Sequence, residues 1–250
     1  MSELRKIYGL WHREVLRYWR EKSRIVSSLI LPLLWLLVFG SGLRSVQVSG
    51  GLTYQTYIFP GILGMTLLFT SVFSGISVIW DREFGFLKEI LVAPVSRTAI
   101  VIGKALGSGT SALIQGAILL PLSFLVGVHL SPISFVILLP TMVLISIGLV
   151  SVGLLIASLM TSLEGFNFIM SLVIMPMFFT SGALFPLTSA PAWLRDFSYI
   201  NPLTYGVDVL RWATFSGANS LLPIYIDFLI LALFAAAMIA ACSYTFGLRK

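Results

Sequence analysis

Asp81 to Arg97 reads DREFGFLKEILVAPVSR and holds six charged residues in a chain of which only 10% are charged. Apolar runs flank it, at about 57–80 and 99–127, each long enough to cross a ~30 Å hydrocarbon layer at ~20 residues per span. A charge-dense stretch between two such runs has to leave the membrane, so it reads as a loop and its neighbours as spans. Further runs at about 25–43, 133–160, 167–187 and 222–246 bring the expected number of spans to six. The fold class expected is an all-α polytopic membrane protein, one transmembrane domain over 1–250. Its parts are an interfacial helix in 1–24, a loop helix in 81–97 and two short helices in 188–217.

Composition agrees with that reading. The chain is 58% hydrophobic with a mean hydropathy of +0.98, far from the composition of soluble domains. One cysteine, Cys242, and two histidines, His12 and His129, leave no material for an intrachain disulfide or a Cys/His metal site. The net charge of +6 does not call for a nucleic-acid partner, because Lys and Arg accumulate in cytoplasmic segments of membrane proteins for topological reasons. With the N terminus inside and six spans, only Arg44, Arg195 and Arg211 of the sixteen Lys and Arg residues fall outside. Both termini are therefore expected in the cytoplasm of an inner or plasma membrane protein. The opening segment has seven basic residues before Ile25 and no small-residue cleavage site, so it does not read as a signal peptide. Leu4, Ile7, Tyr8, Trp11, Val15 and Tyr18 recur in it at helical spacing, the pattern of a helix lying in the interface plane.

Small residues four apart, Ser71/Gly75, Gly103/Gly107/Ser111 and Gly153/Ala157, let helix backbones approach closely, either within the bundle or between subunits. No internal repeat is evident, which disfavours a carrier built from inverted halves. Between the last two spans, Phe185 to Gly217 is too long for a simple turn. Ser189 and Asn201 stand where N-caps belong, with Pro191 and Pro202 at the first turns, so two short amphipathic helices are expected there, re-entrant or interfacial. Trp193, Phe197, Leu203, Tyr205, Val207, Leu210 and Trp212 are available for the membrane interface. Asp208 and Arg211, three apart on the second helix, form either a surface ion pair or part of an outer gate.

Within the opening stretch, Phe84, Leu87, Ile90 and Leu91 share one helical face, while Glu83, Lys88 and Glu89 are free for water or a partner; Pro94 ends the helix. WDREFGFLKEILVAPVSR, SGALFPL at Ser181 to Leu187 and NPLTYGVDVLR at Asn201 to Arg211 resemble the permease subunits of type-2 ABC exporters, in particular the daunorubicin-resistance-like branch. The resemblance extends over essentially the whole chain. It implies that the loop after the second span is a coupling helix seated on a nucleotide-binding subunit, with docking residues Glu83, Phe84, Gly85, Phe86, Leu87, Lys88, Glu89 and Leu91. It further implies two permease copies with two ABC ATPase subunits, and a path lined by the first, second and fifth spans.

That partner would have to supply the energy, and would bind the ATP and Mg, because this chain has no G-x-x-x-x-G-K-[ST] loop: Gly103-Lys104 is followed by Ala105, and the run Gly107 to Thr110 lacks a lysine. No catalytic group and no metal ligand is assigned, and the chain is not expected to be an enzyme by itself. Glu164 and Asp227 read as interfacial carboxylates, and Gln115 and Asn167 as interhelical hydrogen-bonding groups. Candidates for the path are Tyr54, Tyr57 and Phe59 with Phe168, Met175, Phe178 and Phe179, the last four beside Met170, Met177 and Pro176 in the fifth span. The function expected is that of an exporter permease for an amphipathic substrate such as a drug, a lipid or a lipid-linked glycan. The alternative is an ATP-independent channel or ion-coupled carrier. A membrane enzyme would need clustered acid, base or metal ligands, and Asp81, Glu83 and Glu89 have no histidine near them in sequence.

Overall fold

The computed structural model describes residues 3–43, 46–48, 51–84, 95–215, 217 and 220–248. Six helices among them are long and apolar enough to cross a membrane: Ile25–Gly42, Tyr54–Glu83, Arg97–Val126, Pro132–Leu159, Leu163–Thr180 and Ile224–Phe246, called spans 1 to 6 below. An N-terminal helix, Glu3–Arg20, precedes them. Two short helices, Ala192–Ile200 and Pro202–Thr214, sit between spans 5 and 6.

Caps and prolines explain where these helices start and change. Ser96, Ser131 and Ser162 each accept a backbone N–H from the first turn of spans 3, 4 and 5. Pro121 removes a donor from span 3, which tightens into a 3-10 segment, Leu120–Val126, and stops at Gly127 in the left-handed conformation, φ 74°. Span 1 carries Pro32 and loosens into a π turn at Trp35–Phe39 just beyond it.

Span 2 is the axis of the bundle, with 78% of its apolar window buried, against 17% for spans 1 and 6. It breaks at Ser74 and Gly75, between Tyr54–Phe73 and Ile76–Glu83. There Gly75 crosses span 4 at Gly153 so closely that a Cβ on either glycine would sit inside the van der Waals shell of a backbone carbonyl oxygen, Gly153 O or Val72 O. The small-residue pairs are thus used inside the chain.

Span 5 ends at Thr180, short of the expected 187. Gly182, with φ 72°, turns the chain back, and Ala183, Leu184 and Leu187 bury against the protein instead of continuing into lipid. Ser189 is not the cap expected of it. Its hydroxyl donates to Pro186 O at 2.9 Å within a 3-10 turn, Leu187–Ser189, and Pro191 flanks the first short helix instead. Asn201 does cap the second: its side-chain oxygen accepts from Leu203 N at 3.0 Å, and its amide donates to Met177 O at 2.6 Å and Thr180 Oγ1 at 2.9 Å, tying the helix to the end of span 5.

The two short helices differ in setting. Trp193 and Phe197 on the first are exposed, as a membrane-facing surface needs, but Leu203, Val207 and Leu210 on the second are buried. That helix packs against spans 2, 4 and 6, which cover the face expected to meet lipid.

Candidate functional site

At the end of the bundle where Glu3 meets Ser96 and Phe246 meets Arg97, five charged side chains converge. Lys104 lies in span 3 between two glycines and is fully enclosed, 0% exposed. Its ammonium donates to Asp81 Oδ2 at 2.6 Å, Glu14 Oε1 at 3.1 Å and Ser77 Oγ at 3.4 Å. Asp81, at the end of span 2, also accepts from Arg13 at 2.9 Å, with Arg17 at 3.8 Å. The Arg17 guanidinium stands 5.1 Å over the Trp80 ring. A charge buried this deeply has to be paired, and here its partners come from two other helices, span 2 and the N-terminal helix.

The sequence places this cluster through its small residues. A Cβ on Gly103 would lie 2.7 Å from Leu10 Cβ, and one on Gly107 2.5 Å from Glu14 Cβ. Without side chains there, the N-terminal helix packs directly along span 3, Trp11 Nε1 donates to Thr110 Oγ1 at 3.0 Å, and Glu14 reaches Lys104. Contacts advance together, from Glu3 at Ser96 to Trp11 at Thr110, so the two helices run side by side in the same direction. Gln115 donates to Ser28 near the start of span 1, so span 3 extends past span 1 and the N-terminal helix lines that excess. At 30 residues, about 45 Å, span 3 is long enough for both.

The N-terminal helix turns part of its apolar face to the protein. Ile7, Trp11 and Tyr18 turn toward the protein, whereas Leu4 and Tyr8 are exposed. At its first turn, hydrogen bonds from Lys6 and then Ser96 hold the Glu3 carboxyl below the usual carboxylate range. Two arginines hold neighbouring helix ends by their last carbonyls. Arg82 donates to Met160 O and to Ser158 O at 3.5 Å, and Arg97 to Phe246 O at 2.7 Å.

Of the docking residues, Glu83 and Phe84 emerge just beyond this cluster, and Phe84 is 83% exposed. Gly85, Phe86, Leu87, Lys88, Glu89 and Leu91 lie outside the described residues. Of the path residues, Phe168, Met175 and Phe179 form an exposed strip on span 5, while Phe178 is buried against Trp35 of span 1, ring centroids 5.8 Å apart. Tyr54 is half-buried, and Tyr57 and Phe59 are buried within the chain.

Asp208 and Arg211 are not a surface pair. Both are enclosed, and no ion pair joins them. Asp208 accepts from Ser220 Oγ, Leu221 N and Leu222 N at 2.8–3.2 Å. Arg211 donates to Gly182 O at 2.8 Å and lies 4.3 Å over the Tyr57 ring. Asp227, in the first turn of span 6, is not exposed either. It is 1% exposed and lies beside the Asp208 carboxyl.

Sequence reasoning missed Lys104 and Glu14 as partners and left Asp81 isolated. A usable signal was present: a lysine seven residues into an apolar span, on the same face as Gly103 and Gly107, needs an acid from whatever helix packs there.

Six helices long and apolar enough to cross a membrane, with a short-helix pair before the last, describe a polytopic integral membrane protein. The pattern of the ABC-2 type transporter family matches residues 5–215, and the chain belongs to that family. It is 33% identical over 222 residues to the ycf38 protein of Pyropia yezoensis, which bears a transport-permease name, across 84% of this chain and 74% of that one. It is 26% identical over 238 residues to the inner membrane transport permease YadH of Escherichia coli (strain K12), across 94% and 91% of the two chains. Similarity to Escherichia coli YbhR, which carries a multidrug ABC transporter permease name, is 30% over 186 residues, across 70% of this chain and half of that one.

Proposed function

We propose that this permease is the membrane half of an ATP-driven exporter. Two copies, with two separate ABC ATPase subunits that bind ATP and Mg, carry an amphipathic drug, lipid or lipid-linked glycan out of the cytoplasm or inner leaflet. Both termini lie in the cytoplasm, the side that the Lys and Arg distribution favours.

One observation carries the reading: span 2 delivers the exposed Phe84 from an end locked by Asp81 to both Lys104 and Arg13. A force applied to the loop is then shared by span 2, span 3 and the N-terminal helix, which continues into span 1. Exposed apolar residues on spans 1 and 5, among them Leu37, Val38, Phe168 and Met175, suit a seam between two copies with the substrate path beside it. Asp208 and Arg211 would brace the outer end of that path.

The test is affinity purification of the tagged chain from its native membrane in mild detergent. A near-stoichiometric ABC ATPase is expected, and it should be lost in the Phe84→Asp/Leu87→Asp double variant, since apolar anchors dominate such interfaces. A chain that purifies alone across several detergents would end the exporter reading. The buried Asp227 beside Asp208 favours a second reading, an ion-coupled carrier. Transport abolished by a protonophore yet indifferent to ATP depletion would select it.

A further inference from the structure

Between spans 1, 2 and 3 lies a cavity of about 230 Å³ that none of the candidate path residues lines. Leu31, Pro32, Met65, Phe69 and Phe73 form its apolar walls, and Ser28, Thr70 and Gln115 its polar side. The Gln115 amide is held in place: its oxygen accepts from Thr70 Oγ1 at 2.6 Å and its nitrogen donates to the Ser28 hydroxyl. Among the described residues these bonds leave the amide, itself 0% exposed, one N–H and one lone pair. No ionisable side chain lines the cavity. At Thr70 it meets a second recess, about 20 Å³ and room for about one water, lined by Ser74, Ser77, Ser108 and Ser111 with Glu14 and Arg17. Thr70 thus borders both the cavity and the recess beside the charged cluster.

The geometry points to a binding site for an uncharged amphiphile with one hydroxyl or amide group, its apolar body against Leu31, Met65 and Phe69 and its polar group on Gln115 and Thr70. Apolar cavities of roughly 150 Å³ admit benzene, and drug-sized pockets begin at roughly 300 Å³, so the site takes one substituted ring or a medium alkyl chain. As a cargo subsite it rests on the exporter reading; as a binding site it does not. Leu31, one of its walls, is 43% exposed on span 1, so the cavity borders the outer surface of the chain, from which such a guest would enter.

The experiment is photolabelling of the full chain in lipid nanodiscs with 3-azioctanol, an alcohol carrying a photoreactive diazirine, followed by peptide mapping. Expected is saturable labelling of Leu31, Met65 or Phe69, displaced by 1-octanol much better than by n-octane. Gln115→Leu should weaken labelling about five- to tenfold through loss of a hydrogen bond. Leu31→Trp, at a half-exposed position that tolerates bulk, should block it by filling the cavity. Labelling spread evenly over lipid-facing residues, or equal displacement by octane, or no effect of either variant in folded protein, overturns the assignment. ATPase capture by the same preparations separates the two proposals. Saturable labelling without capture keeps the site and removes the exporter, and capture without saturable labelling does the reverse.

Discussion

Replacing Lys104 with methionine keeps the length of the side chain and deletes the charge that Asp81 and Glu14 were buried to meet. Removing one partner of a buried ion pair costs about 3–5 kcal/mol, because the other charge stays enclosed without compensation. Asp81 keeps Arg13 at 2.9 Å, so the lower end, about 3 kcal/mol, is expected. For a chain of this size that corresponds to a fall in melting temperature of about 6–12 °C. Intrinsic tryptophan fluorescence of the detergent-purified protein reads it directly, since Trp11 and Trp80 lie on the two helices that meet there. The double variant Lys104→Met/Asp81→Asn removes the stranded charge along with the lysine and should recover about 1–3 kcal/mol of the loss. A melting temperature within about 1 °C of the parent for Lys104→Met, or a double variant as unstable as the two singles added together, would refute the network as a structural lock.

Other outcomes follow from the same geometry. Gly153→Ala should destabilise by about 1–3 kcal/mol or prevent folding, because the new Cβ meets the Val72 carbonyl, and gel-filtration yield together with melting temperature reads it. Phe84→Asp alone should leave the melting temperature unchanged, within about 0.5 kcal/mol, while reducing ATPase capture, as the ring touches little of its own chain. Arg211→Met should cost about 1–3 kcal/mol by leaving the buried Gly182 carbonyl without its donor, seen as a lower melting temperature. Asp227→Asn should hold or raise the melting temperature, since the amide cannot become a buried charge; a marked fall would mean that the carboxylate has a partner that it needs.

The six spans were legible because a hydrocarbon layer imposes a length and a polarity on anything that crosses it, and runs such as 133–160 meet both by composition alone. Asn201 was legible as a cap because capping is local, settled within three residues. Ser189 failed because the helix starts at Ala192 after Pro191, so its hydroxyl is too far back to accept a first-turn N–H and donates to Pro186 O instead. The end of span 5 failed because an apolar stretch can be covered by protein as well as by lipid, and only the packing of Ala183 on Gly61 distinguishes the two.

What the sequence determined by itself was therefore the membrane class and the number of spans, both properties of single segments facing a known solvent. What only the tertiary structure decided was pairing. Lys104 finds Asp81 and Glu14 across 23 and 90 residues, Gly75 finds Gly153, and the second short helix turns Asp208 and Arg211 inward. The physical reason is that in lipid no apolar periodicity says which helix is neighbour to which. Close backbone approach at glycines and the demand of each buried charge for a partner settle it, and both are properties of two segments at once.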